Sequence, residues 1–177
     1  MIITGGNFRS RKIKSPKEKI VKPTLSKVRE SIFNVLSNMI EFEGKSFLDL
    51  FSGSGIMGFE AISRGFSELT CIDNNAQNVM LLKENAKILG IDANILKYDS
   101  LKYLKNHCDN YDVIFLDPPY ESDYIEKCLS IIKKTQNKSI IVIETLEEKE
   151  IDLTDFAILQ EKKYGICKIY FLKQQKS

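Results

Sequence analysis

The chain is poor in the residues that build metal centres and hydrolase sites: of 177 residues one is histidine, His107, and four are cysteine. A single imidazole excludes a histidine-rich metal site and a Ser/His/Asp triad. Cys71, Cys108, Cys128 and Cys167 lie far apart and include no C-x-x-C pair, which predicts reduced thiols rather than disulfides or zinc ligands. No apolar run approaches the roughly 20 residues a membrane span needs, and Met1-Ile2-Ile3 is too short for a signal sequence. A cytoplasmic protein without metal is the expectation, and nothing in the pattern calls for a partner subunit, so a monomer is expected. Proline is scarce too, and two of the four prolines stand together at Pro118-Pro119.

Charge is nearly balanced at +2, but it is unevenly placed. Residues 1–30 carry Arg9, Arg11, Lys12, Lys14, Lys17, Lys19, Lys22, Lys27 and Arg29 against Glu18 and Glu30, which is +9 − 2 = +7. The remainder is then +2 − 7 = −5. A basic arm on a mildly acidic body reads as a surface for a polyanion such as nucleic acid, with a solvated charge run as the alternative.

The length fits one domain, and 43% hydrophobic with 28% charged residues is ordinary for a globular one. Residues 1–15 read as a short basic hairpin turning at Gly5-Gly6-Asn7. A helix is predicted from Pro23-Thr24, because Leu25, Val28, Ile32, Val35, Leu36 and Met39 recur at spacings of three and four. After Gly44, short apolar runs alternate with helical stretches. Strands are expected at Ser46–Leu50, Leu69–Asp73, Asn94–Lys97, Val113–Leu116 and Ser139–Glu144. Helices are expected at Ile56–Arg64, Ala76–Leu89, Leu101–Asn106 and Tyr124–Lys134. Such alternation forces parallel pairing. Phe156–Lys163 and Ile166–Leu172 around Tyr164-Gly165 predict a closing antiparallel hairpin. Residues 1–40 thus form a basic extension, expected to face a polyanion, on an α/β body at 41–177, within one compact domain.

Gly53, Gly55 and Gly58 satisfy G-x-G-x-x-G between the first strand and first helix, and Asp73 ends the next strand. That pattern alone admits a dinucleotide oxidoreductase. Asp49, just before the loop, argues otherwise, because added negative charge repels a pyrophosphate and attracts a cation. S-adenosylmethionine carries both an ammonium and a sulfonium. The residues assigned to it are Asp49, Phe51, Ser52, Gly53, Ser54, Gly55, Asp73, Asn74, Asp99 and Ser100. Asp73 suits the ribose. Asp99 suits either the adenine amino group or the cap of the next helix.

The run Asp117-Pro118-Pro119-Tyr120 follows the strand Val113–Leu116 directly. Two prolines end the strand and stiffen the loop, holding a carboxylate and an aromatic ring at a sheet edge. An exocyclic nucleobase nitrogen is a poor nucleophile. Two acceptors, the Asp117 carboxylate and the Pro118 carbonyl, would turn its lone pair toward a methyl donor, while Pro119 stiffens the loop and Tyr120 stacks on the base. Either Asp117 or water could take the released proton.

With those residues in place the chain resembles the bacterial small-subunit (16S) ribosomal RNA guanine-N2 methyltransferases of the RsmD type. The likeness runs through Ile3-Thr4-Gly5-Gly6 with Arg9, Arg11 and Lys12, then Lys22-Pro23-Thr24, Val28-Arg29-Glu30 and Phe33-Asn34-Val35-Leu36. It continues through the Asp49–Gly55 loop and Asp117–Tyr120. The resemblance implies a Rossmann-like class I methyltransferase fold with a mostly parallel seven-stranded sheet, S-adenosylmethionine as cofactor, and a guanine amino group of ribosomal RNA, free or in the small subunit, as target. It also implies that Thr24 and Arg29 lie near the cofactor and substrate mouth; with Arg9, Arg11, Lys12, Lys14 and Lys22 of the basic arm, these are the expected substrate contacts. Adenine-N6 methyl transfer, protein-glutamine methyl transfer and an inactive RNA-binding relative are the alternatives.

Overall fold

A computed structural model describes residues 1–16, 24–107, 111–120, 122–135 and 138–175. Helix α1 (Thr24–Ser37) is followed by β1 (Ser46–Asp49), α2 (Ile56–Ser63), β2 (Glu68–Asp73), α3 (Ala76–Leu89) and β3 (Asn94–Lys97). Then come α4 (Ser100–His107), β4 (Val113–Leu116), α5 (Tyr124–Ile132), β5 (Ile140–Leu146), β6 (Phe156–Tyr164) and β7 (Cys167–Gln174). The strands form one sheet in the order β3-β2-β1-β4-β5-β7-β6. The first five pair in parallel, and β7 runs antiparallel to both β5 and β6. This is the mostly parallel seven-stranded sheet with a closing hairpin that the alternation predicts.

The central strands are apolar because both their faces are covered. On one face, Phe47, Phe115, Val142 and Phe171 pack with Ile32, Phe33, Phe59 and Leu82 of α1, α2 and α3. On the other, Leu48, Ile114, Ile143 and Leu172 pack with Leu104 of α4 and with Ile125 and Leu129 of α5. Helix α5 ends at Ile132 rather than Lys134, because Lys134 and Thr135 already donate to the i−3 carbonyls of a turn. Strand β5 runs two residues past Glu144, and the pairing of Tyr164 with Cys167 leaves Gly165 and Ile166 as the two-residue turn of the β6–β7 hairpin. Among the described residues no helix is long and apolar enough to cross a membrane.

The amino-terminal hairpin is looser than the sequence suggests. The chain does reverse, with Ile3 N–H on Arg11 O at 3.0 Å and Ile13 N–H on Met1 O at 2.9 Å, but the ladder is one isolated bridge, Ile2 to Lys12. Turns and bends fill residues 5–10 and leave no length for strands. Ile3 and Ile13 enter the same core as Phe47 and Phe59, so this segment packs with the body rather than apart from it. A buried carboxylate secures it: Glu60 of α2 accepts from Thr4 N–H (2.9 Å), from the Thr4 hydroxyl (2.5 Å) and from Arg64 Nε (2.9 Å).

Candidate active site

At the junction of β1 and β4 the chain's connections diverge to opposite sides, which opens a crevice at the strands' carboxyl ends. A cavity of about 590 Å³ lies there. Its walls include Phe51, Gly53, Asp73, Asn74, Asp99, Ser100, Asp117, Pro118, Pro119 and Tyr120, all of which the sequence nominates. Two loops far apart in the chain, 51–53 and 117–120, therefore meet across one space.

The three glycines of the loop act differently. A side chain at Gly53 would project into open space, and its N–H donates to Asp73 Oδ2 at 2.9 Å. Gly55 stands at φ +82, and a β-carbon there would collide with Phe59 and Leu82. Gly58 lets α2 approach Leu69 and Cys71 of β2, where a β-carbon would come within 2.7 Å of a leucine methyl. Only Gly53 faces the cavity. Ser52, Ser54 and Gly55 are not among its walls: Ser52 Oγ bonds the Asp49 carbonyl, and the Ser54 carbonyl receives Asn85 Nδ2.

Asp49 also lies below the cavity rather than in its wall, at 2% exposure, with Gly58 N–H donating to its Oδ2 at 3.3 Å. Burial pushes its carboxyl up to about 7, and the charges of Asp117 and Asp73 push the same way. Asp73, Asp49 and Asp117 end or follow three neighbouring strands, so the crevice concentrates negative charge. Asp99 caps α4 by accepting Lys102 N–H at 2.8 Å, as one of its two sequence readings expects, and it also lines the cavity. Ser100 is buried and donates to Leu50 O at 2.7 Å, tying α4 to the glycine loop.

Sequence reasoning missed Asn75, Asn78 and Tyr124. Asn75 caps α3 through Gln77 N–H at 2.8 Å, a signal visible in Asn74-Asn75 ahead of a helix. Asn78 Nδ2 donates to Asp73 Oδ2 at 3.1 Å, and Tyr124 sets its ring edge-on to Phe51 at 5.4 Å. Beyond Tyr120 the loop is tied down: the Pro119 carbonyl accepts Ser122 N–H (3.1 Å) and Oγ (2.5 Å), and Lys149 Nζ donates to Ser122 O at 2.6 Å.

Among the described residues, none of the basic side chains expected to touch substrate lines this cavity. Arg29 is 5% exposed and serves as an internal bolt, its Nη2 on Ile2 O at 2.7 Å and its Nε 3.7 Å from Glu60. It falls on the buried face of α1 and is not among the cavity's walls, but the charge of Glu144 reaches both Arg29 and Tyr120. Arg11 Nη1 donates to Leu89 O at the carboxyl end of α3, roughly 16 Å along that helix from Asn78 in the cavity wall. Arg9 belongs to the turn at Gly6–Arg11, where Asn7 N–H bonds Ser63 O at the far end of α2. Lys12 is exposed, and Lys14 pairs with Glu84 at 2.5 Å. Lys22 and the Thr24 side chain lie outside the described residues.

Comparison with known proteins adds to this geometry. The family model described as "Conserved hypothetical protein 95" matches residues 1–173. Ribosomal RNA small subunit methyltransferase D of Buchnera aphidicola is 33% identical over 91% of this chain and 86% of its own. The chain belongs to that family. Two solved structures share the family's fold. A hypothetical protein of Thermus thermophilus superposes with a TM-score of 0.81 at 24% identity, covering 99% of both chains. The 16S rRNA N2 G1207 methyltransferase of the same species, solved with AdoMet and guanosine, gives a TM-score of 0.73 at 16% identity over 90% of this chain and 45% of that one. The sheet is therefore the class I methyltransferase fold.

Proposed function

We propose that the chain methylates the exocyclic N2 amino group of a guanine in small-subunit ribosomal RNA, with S-adenosylmethionine as donor. The observation that carries this reading is the meeting of Asp117-Pro118-Pro119-Tyr120 with Gly53 and Asp73 across one cavity. The residues fit the cofactor: burial and neighbouring acids push Asp49 up to about 7, a cation beside it would favour its ionised form, and Gly53 leaves room for close approach. A pyrophosphate would meet the same acids with repulsion.

When bound, S-adenosylmethionine supplies an electrophilic methyl on a sulfonium. Asp73, Asn74 and Gly53 form the wall for its ribose and backbone, and Phe51 and Asp99 for its adenine. The acceptors for the guanine N2 hydrogens are the Asp117 carboxylate and the Pro118 carbonyl; the Pro119 carbonyl is already taken by Ser122. Both acceptors turn the N2 lone pair away from the ring system. As N2 gains the methyl it becomes positive, so Asp117 stabilises the transition state more than the ground state. One N–H proton then leaves, to Asp117 or to water. Tyr120, 41% exposed, offers its face to the base.

Arg9, Arg11 and Lys12 do not line the cavity, so they suit RNA backbone flanking the target base. Residues 1–40 would thus face RNA while sharing the body's core. The reading expects a cytoplasmic monomer acting on RNA or on the assembling subunit. Incubation with labelled donor and small subunits, free ribosomal RNA or DNA tests it. Digestion to nucleosides should place the label in N2-methylguanosine; label in N6-methyladenosine would reject the guanine assignment.

A further inference from the structure

One exposed apolar side chain, next in the chain to the Cys167 that meets Tyr120, is left unused by the reading above. Ile166 is 65% exposed, at the tip of the β6–β7 hairpin. Isolated exposed isoleucines are ordinary on protein surfaces; the placement and stiffness of this one are not. Strand β7 is antiparallel to β5, and Cys167 pairs with Leu146, so the tip rises above the carboxyl edge that holds the cavity. Only β5 separates β7 from β4, which puts the tip roughly 10 Å from the proline loop. Contact is nearly direct, since the Tyr120 hydroxyl lies 4.0 Å from Cys167 Sγ.

The tip is held from several sides. Gly165, at φ +60, takes the first turn position, as II′ hairpins require. Ile166 O accepts Glu147 N–H at 2.8 Å, and Lys163 pairs with Glu147 at 2.9 Å. The Tyr164 hydroxyl hydrogen-bonds Ser31 Oγ of α1. A stiff projection ending in an apolar group, beside the loop that takes the base, suits one task. A guanine that swings into the crevice leaves a gap in its own stack, and an inserted apolar side chain can fill such a gap.

We propose that the β6–β7 tip docks on the RNA substrate and carries Ile166 into the space vacated by the target guanine. The inference rests on the guanine-N2 reading. Its test compares wild type, Ile166→Ala and Ile166→Met on small ribosomal subunits from cells lacking this protein, scoring N2-methylguanosine. Because the side chain is exposed, neither variant should shift Tm or calorimetric affinity for S-adenosylmethionine. The expected result is a kcat lower by roughly tenfold or more for alanine, since a buried isoleucine's apolar area is lost, and near-wild-type kcat for methionine. Unchanged kcat in Ile166→Ala, or a loss confined to KM, overturns the wedge. A wild type that labels no guanine N2 overturns the parent reading and this inference with it.

Discussion

Gly53 and Asp73 are twenty residues apart, yet the glycine's N–H sits 2.9 Å from Asp73 Oδ2, while Asn78 holds the same oxygen at 3.1 Å. The acid at the end of β2 therefore braces the glycine loop as well as facing the cavity. Replacing Asp73 with alanine should remove both functions. A charge-assisted hydrogen bond contributes about 1.5–3 kcal/mol, so S-adenosylmethionine affinity should fall roughly 10- to 100-fold by calorimetry. Unchanged affinity would remove Asp73 from the cofactor site.

Asp49 links cofactor binding to pH. Its folded-state carboxyl is raised to about 7, so the unliganded protein binds a proton there that the unfolded chain releases near 4. The stability this group contributes is full below about pH 4 and is lost as pH rises through about 7. A cationic ligand needs the ionised form, so affinity for S-adenosylmethionine should rise with pH up to about 7 and then level. Asp49→Asn should flatten that profile and stabilise the unliganded protein at pH 8 by a few kcal/mol (~2–4). A steep profile persisting in the variant would contradict the assignment.

Asp117→Ala should abolish methyl transfer while leaving cofactor binding intact. The loss should be about 10²- to 10³-fold or greater, the scale for removing one transition-state partner. Single-turnover rates on small subunits would measure it, and full activity would end the proposed mechanism.

Arg29→Ala should act on folding. It removes the Nη2 hydrogen bond to Ile2 O and the 3.7 Å approach to Glu60, which keeps Thr4 and Arg64, so the loss should be about 1.5–3 kcal/mol. Denaturant melts should show that loss. A variant of normal stability but weak RNA affinity would restore Arg29 to the substrate surface.

The outlying cations should reveal themselves through salt. If Arg9, Arg11, Lys12 and Lys14 make about four phosphate contacts, RNA affinity should fall with a log–log slope near −3. Removing Arg9 and Arg11 together should shallow the slope by about 1.5 without altering cofactor affinity. A flat dependence would return these residues to ordinary solvated charge.

The order of strands and helices, the glycine loop and the proline loop were legible in the chain, because each is written in local terms: apolar period, turn residues and caps. Val113–Leu116 and Ala76–Leu89 match their predicted bounds for that reason. Through-space placement was not legible. Arg29 lies in a basic stretch, yet its position on α1 turns it inward toward Glu60, and a charge count is blind to helical facing. Asn78 lines the cavity only because α3 starts beside Asp73.

What the sequence settled by itself is the inventory: one histidine, an acid before a glycine loop, and a carboxylate locked beside two prolines. Residue type and spacing suffice there, since proline and glycine restrict the backbone wherever they stand. The tertiary structure alone decided which acids wall the cavity, which lie beneath it, and where the basic arm points. Those outcomes depend on the packing of α1, α2 and α3 against one sheet face, where burial and neighbouring charge assign each side chain its role.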